Sequence, residues 1–131
     1  MTPSDYRENG FQMSSLIDQK IINRAELDII DAYIKPINPS LPNTDTVYKN
    51  TLMTLSFFLI CKRTNVFATR SGSKEKKNEF SEKSDGWDNL QALATDCHLA
   101  LERLKMTNGA NKEFVIKDIC GIYYKTNFFH I

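Results

Sequence analysis

LMTLSFFLIC, residues 52–61, is the most apolar run in the chain, and its reading decides the fold. It is about half the roughly 20 residues that a helix needs to span a bilayer, and Lys62 and Arg63 follow at once. A buried core helix is therefore expected, with no membrane partner. Thr44 or Asp45 can cap its start by accepting from the free amides of the first turn, and it should run to about Arg63. Val47, Tyr48, Thr51, Leu52, Leu55, Phe58 and Leu59 form one face, and Phe57, Ile60 and Cys61 widen it until little polar surface remains. Such a helix must be covered on several sides, by this chain or by neighbouring copies.

Upstream, Met13, Leu16, Ile17, Ile21, Ile29, Ile30, Tyr33 and Ile34 recur at three- and four-residue steps, with Ala25 and Leu27 between them. This spacing predicts a first helix over residues 14–34, or two shorter ones divided at Asn23. Pro36 should end it by disfavouring helical geometry in Lys35, and Pro39 and Pro42 continue an extended link. Residues 1–12 read as a flexible polar lead-in. Downstream, Leu90, Leu93, Ala94, Cys97, Leu101 and Leu104 mark a third helix over residues 87–106, and Asn108 and Gly109 supply its stop. The predicted bundle core is Leu52, Leu55, Leu59, Leu93, Cys97, Leu101 and Leu104. The fold class is mainly α, a single domain over residues 13–131 with a crossover at 66–84 and an extended C-terminal arm at 110–131.

The crossover contains ATRSGSKEKKNEFSEKSD, residues 68–85. Residues 66–70 suit a short strand, the SGS at 71–73 can reverse the chain, and residues 74–81 would return as an exposed strand of a projecting hairpin. A surface loop is the plainer alternative. Arg70, Lys74, Lys76, Lys77 and Lys83 are interleaved with Glu75, Glu79 and Glu82, a pattern that suits orientation of a protein partner better than a polyanion. Arg70, Lys74, Lys76, Lys77 and Phe80 are thus the candidate partner-binding residues, with nonspecific DNA contact as a lesser role. Trp87 either closes the end of the core or anchors a subunit interface, and with Phe67 and Phe80 it can clamp the foot of the hairpin. Residues 113–131 mix alternation with aromatic runs. Tyr123, Tyr124, Phe128, Phe129 and Ile131 are candidates for docking, on the body of the same chain or on another subunit.

Composition narrows the chemistry. The chain has 131 residues, 41% apolar and 25% charged, which fits one folded core. With 17 basic and 16 acidic residues, no global field draws it to nucleic acid. Cys61, Cys97 and Cys120 are too widely spaced for a disulfide framework or a metal knuckle, although one pair can still bridge if the fold joins it. A reduced, intracellular environment fits that usage. Residues 1–12 lack the apolar run of a signal peptide. Cys97 and His98 are adjacent on a helix and point apart, so they make no nucleophile and base pair. Glu26, Asp28 and Asp31 read as solvated helical charge, and no GxxxxGK phosphate loop is present. No enzyme activity and no cofactor are expected.

The helix ending near YIKP, the second helix through LSFFLIC, the segment RTNVFATRSGSKEKKNEFSEKSD and the helix through LALERLK together resemble the small head-tail connector, or adaptor, proteins of tailed bacteriophages. The chain is also similar to structural proteins of gut Bacteroidales phages. The resemblance implies a virion protein assembled in the bacterial cytoplasm as a homo-oligomeric ring at the head-tail junction, between the portal protein and a downstream tail or stopper protein. It implies no catalytic residues. Its central connecting segment corresponds to residues 70–81 and its C-terminal arm to residues 111–131.

Overall fold

The computed structural model describes the backbone of residues 1–64 and 79–115 and the side chains of residues 1–64 and 90–115. Among them every regular element is helical: α1 (Pro3–Glu8), α2 (Gln19–Ile29), a π-helical turn (Ile30–Ile34), α3 (Lys35–Ile37), α4 (Thr46–Thr64) and α5 (Glu79–Lys105). The molecule is a small, mainly α-helical bundle, as the periodicity predicts.

Helix α4 is its axis. Residues 51–58 are all buried, and the cover comes from the chain itself. Leu52, Leu55 and Phe58 pack with Ala94, Cys97, Leu101 and Leu104 of α5 and with Ile29, Ile34 and Ile37. On the other side, Met53, Phe57, Ile60 and Cys61 pack with Tyr6, Met13, Ile17, Ile22 and Ala25. Of the predicted core, Leu52, Leu55, Cys97, Leu101 and Leu104 are buried, while Leu59 and Leu93 are half-buried. Helix α5 returns antiparallel to α4. Leu90 packs against the cluster that contains Ile60 and Cys61, the Cys97 thiol reaches the Thr54 carbonyl at 3.7 Å, and the loop after α5 meets the residues that precede α4. Cys61 and Cys97 are free thiols, buried in different clusters. No described helix is long and apolar enough to cross a membrane.

Three expected boundaries are corrected. Residues 1–12 are not a flexible lead-in: Thr2 and Asp5 form a capping box around α1, Pro3 sits at its first position, and Tyr6 is fully buried. The first long helix begins at Gln19, where the Asp18 carboxylate accepts from the Ile21 amide at 3.0 Å, and it passes through Pro36 to Ile37. Pro36 has no amide hydrogen for the Ala32 carbonyl one turn back, and its ring crowds that carbonyl. The turn just before it opens to π geometry, with the Lys35 amide bonding to the Ile30 carbonyl, and the helix survives. Leu16 and Leu27, expected on the buried stripe, are 67% and 58% exposed, while Ile22 and Ile37 are buried. The helix expected from Trp87 already runs at Glu79, so the crossover cannot extend to residue 84, nor a returning strand through Ser81. Glu79, Glu82 and Lys83 are good helix formers, and this local preference overrides the strand reading.

One polar lock joins the two ends of the fold. Asn38, 1% exposed, leaves helical geometry after α3 and donates from Nδ2 to the Thr107 hydroxyl at 3.0 Å and the Asn108 carbonyl at 2.8 Å. The Ser40 hydroxyl donates to its Oδ1 at 3.1 Å, and the Asn111 amide donates to the Ile37 carbonyl at 2.7 Å. Gly109 closes the turn with φ of +83°, and a Cβ there would lie 3.3 Å from the Ser40 hydroxyl oxygen. Glycine thus supplies both the left-handed backbone and the room, as its predicted stop role requires.

Candidate functional site

The first turn of α4 is held by Asp45, whose Oδ1 accepts from the Val47 amide at 2.7 Å, as its capping position predicts. Helix α1 lies across that end of the bundle. It is tied down by Arg7, which donates to the Met13 carbonyl at 3.0 Å, and by the ring of Phe11, which packs edge-on against Tyr6 and tilted against Phe57. Between α1 and the start of α4 is an open cleft of about 510 Å³ lined by Met1, Asp5, Asn9, Phe11, Thr44, Thr46, Lys49, Asn50 and Met53. Phe11 and Met53 make an apolar floor, and amides, hydroxyls and two opposite charges make the rim. The backbone amide of Thr2 and then its hydroxyl hold the Asp5 carboxyl below its usual range, helped by the nearby α-amino group and by Lys49.

Beneath the cleft lies a buried polar pair. Tyr6 donates from its hydroxyl to Glu26 Oε2 at 2.7 Å, and the α-amino group of Met1 donates to Oε1 at 2.9 Å. Glu26, read from sequence as solvated charge, is in fact buried, and these donors compensate its desolvation. The Ser56 hydroxyl faces the phenol from α4, outside hydrogen-bond geometry. Burial, the bond to Glu26 and that carboxylate's charge push the Tyr6 phenol far above its ordinary value.

Tyr6→Phe is expected to cost about 1–3 kcal/mol, because the Glu26 carboxylate stays buried with one donor fewer. A pKa raised in the fold means that the contribution is full below the ordinary phenol pKa of about 10 and is lost as pH rises above it. Urea unfolding across that range should show the native chain losing stability more steeply than Tyr6→Phe. Equal slopes would place the phenol outside the linkage.

Elsewhere the ionisable groups pair locally. Arg63 bonds Asp28 at 2.7 Å, Lys35 approaches Asp31 at 3.6 Å, and His98 faces Glu102 at 3.5 Å, all substantially exposed. Pairs of this kind contribute about 0–1 kcal/mol each. No group of three His, Cys, Asp or Glu side chains able to hold a metal occurs among the described residues. Of the sequence-predicted site residues, Phe80 and Trp87 fall on the backbone of α5, and their side chains lie outside the described residues. Arg70, Lys74, Lys76, Lys77, Tyr123, Tyr124, Phe128, Phe129 and Ile131 lie outside them altogether. The cleft itself was missed by the sequence reading. Its signal was the Thr2 and Asp5 capping box with Pro3, which marks residues 3–8 as a helix that needs something to pack against. No protein-family model, curated protein or solved structure matches the chain.

Proposed function

We propose that this chain is a structural protein of a phage head-tail junction, an adaptor that assembles as a ring and binds the portal and a tail or stopper component through its surfaces, without turning over a substrate. The observation that carries the reading is how the polar groups of the described fold are used. Glu26 holds Tyr6, Asn38 holds the loop after α5, and Asp45 caps α4, so these three polar side chains serve architecture. Binding is then assigned to segments outside that architecture, of which the mixed-charge stretch at residues 70–83 and the aromatic arm are the most distinctive in sequence. Residues 70–78 of that stretch fall in sequence between α4 and α5, the two longest described helices, which pack along each other, and its residues 79–83 belong to the start of α5. A contact made there would bear on a rigid helical pair.

Electron microscopy of cognate particles tests this directly. The expected result is a closed ring of this protein at the junction, impaired when Arg70, Lys74, Lys76 and Lys77 are all replaced by Glu in a chain that still folds. A particle map without density for it there removes the adaptor assignment. Tight binding of short duplex DNA that falls steeply with salt and is abolished by the same charge reversal would instead favour a nucleic-acid-binding domain.

A further inference from the structure

We infer that Asn108 and Gly109 form a self-modification site, at which the Asn108 side-chain amide is lost through a cyclic imide and the polar lock at that end of the bundle is undone. The inference stands apart from the head-tail reading. The chain has two Asn–Gly steps, Asn9–Gly10 and Asn108–Gly109. Such steps favour this chemistry, because asparagine is thermolabile and glycine has no side chain to shield its amide nitrogen from the residue before it. Both steps are exposed, and both glycines have positive φ, +92° at Gly10 and +83° at Gly109. Solvent access does not tell them apart.

Hydrogen bonding does. At the first step Asn9 Nδ2 donates to the Asp5 carbonyl at 2.8 Å, and the Gly10 amide donates to the Arg7 carbonyl at 3.1 Å. Both reacting groups are engaged. The ψ of 17° at Asn9 also nearly eclipses the Gly10 nitrogen with the backbone nitrogen of Asn9, which turns it away from the side-chain carbon it would have to attack. A five-membered ring does not close from there. At the second step, neither the Asn108 side-chain amide nor the Gly109 amide enters a hydrogen bond among the described residues. The Asn108 main-chain carbonyl instead accepts from Asn38 Nδ2 at 2.8 Å. A donor there stabilises the negative charge that spreads onto this oxygen when the Gly109 nitrogen loses its proton.

The reaction needs only water and hydroxide. Hydroxide takes the Gly109 amide proton, the nitrogen bonds to Asn108 Cγ, and the Cγ–Nδ2 bond breaks as the side-chain nitrogen, protonated by water, leaves as ammonia. Water then adds across either imide C–N bond. Opening at Cγ leaves aspartate, whereas opening at the main-chain carbonyl leaves isoaspartate, with a main chain longer by a methylene and the carbonyl that Asn38 held turned into a carboxylate. The added length falls between two fixed contacts, Asn38 Nδ2 on the Thr107 hydroxyl at 3.0 Å and the Asn111 amide on the Ile37 carbonyl at 2.7 Å. Slack is small, since a Cβ on Gly109 would already lie 3.3 Å from the Ser40 hydroxyl oxygen.

Peptide mapping by mass spectrometry, on full-length protein aged at mildly alkaline pH, tests the inference. Isoaspartate and aspartate are expected to accumulate at residue 108 about tenfold faster than at residue 9, whose hydrogen bonds must first break. In urea the two steps should react at comparable rates. The isoaspartate fraction, separated from fresh protein by its added negative charge, should unfold at lower urea than Asn108→Asp, which carries the charge on an ordinary backbone. Equal native rates at the two steps, or aspartate without isoaspartate at residue 108, would overturn the site. An isoaspartate fraction as stable as Asn108→Asp would overturn the unlocking.

Discussion

Leu101→Ala is expected to destabilise the fold by about 2–5 kcal/mol, and Leu55→Ala by a similar amount. Both side chains are at most 1% exposed, and they meet in the cluster where α4 packs on α5 together with Phe58 and Cys97. The removed atoms lose their transfer free energy, and neighbours contributed by three helical segments cannot all move in to fill the space. Helix propensity works the other way, since Ala is the best helix former, but its gain of a few tenths of a kcal/mol is far smaller. Equilibrium unfolding in urea is the measurement. Changes below about 0.5 kcal/mol at both positions would mean that these residues are not the core.

Asn38→Asp is expected to cost about 3 kcal/mol, although it replaces one atom and keeps the shape. The Asn38 amide nitrogen faces the Asn108 carbonyl at 2.8 Å, which only a donor can do. An aspartate would set a carboxylate oxygen against that carbonyl in a site that is 1% exposed. Burial and the facing carbonyl would favour the protonated acid and so raise the group's pKa, and the penalty should shrink as pH falls toward the carboxylate range. A loss below about 0.5 kcal/mol at neutral pH would mean that the loop after α5 does not depend on Asn38.

How much of this was legible varies with the range of the cause. Helix α4, the C-terminal half of α5, the cap at Asp45 and the stop at Gly109 all follow from residues within a turn or two of each other, and all are found where the sequence puts them. The pairing of Tyr6 with Glu26 spans 20 residues and has no periodic signature, so each was read alone, one as part of a polar lead and the other as solvated charge. The cleft is further from any local signal, because its walls come from α1 and from a stretch about Thr44 to Met53 that meet only after folding. Helix α5 starts early for a different reason. A polar stretch with one aromatic fits strand and helix patterns equally, and intrinsic preference decided between them.

The π-helical turn before Pro36 also changes how the chain can be counted. Buried positions run Ile22, Ala25, Glu26 and Ile29 at helical steps, then jump five residues to Ile34 before Ile37 resumes the three-residue step. Ile29 and Ile34 both reach the α4 and α5 cluster, so the turn carries one residue more than the path needs. In terms of insertion and deletion, the surplus is already absorbed: a chain one residue shorter between Ile29 and Ile34 would present the same apolar stripe on an ordinary helix. A deletion anywhere else along α2 would turn the residues beyond it by about 100° and carry part of that stripe away from the core.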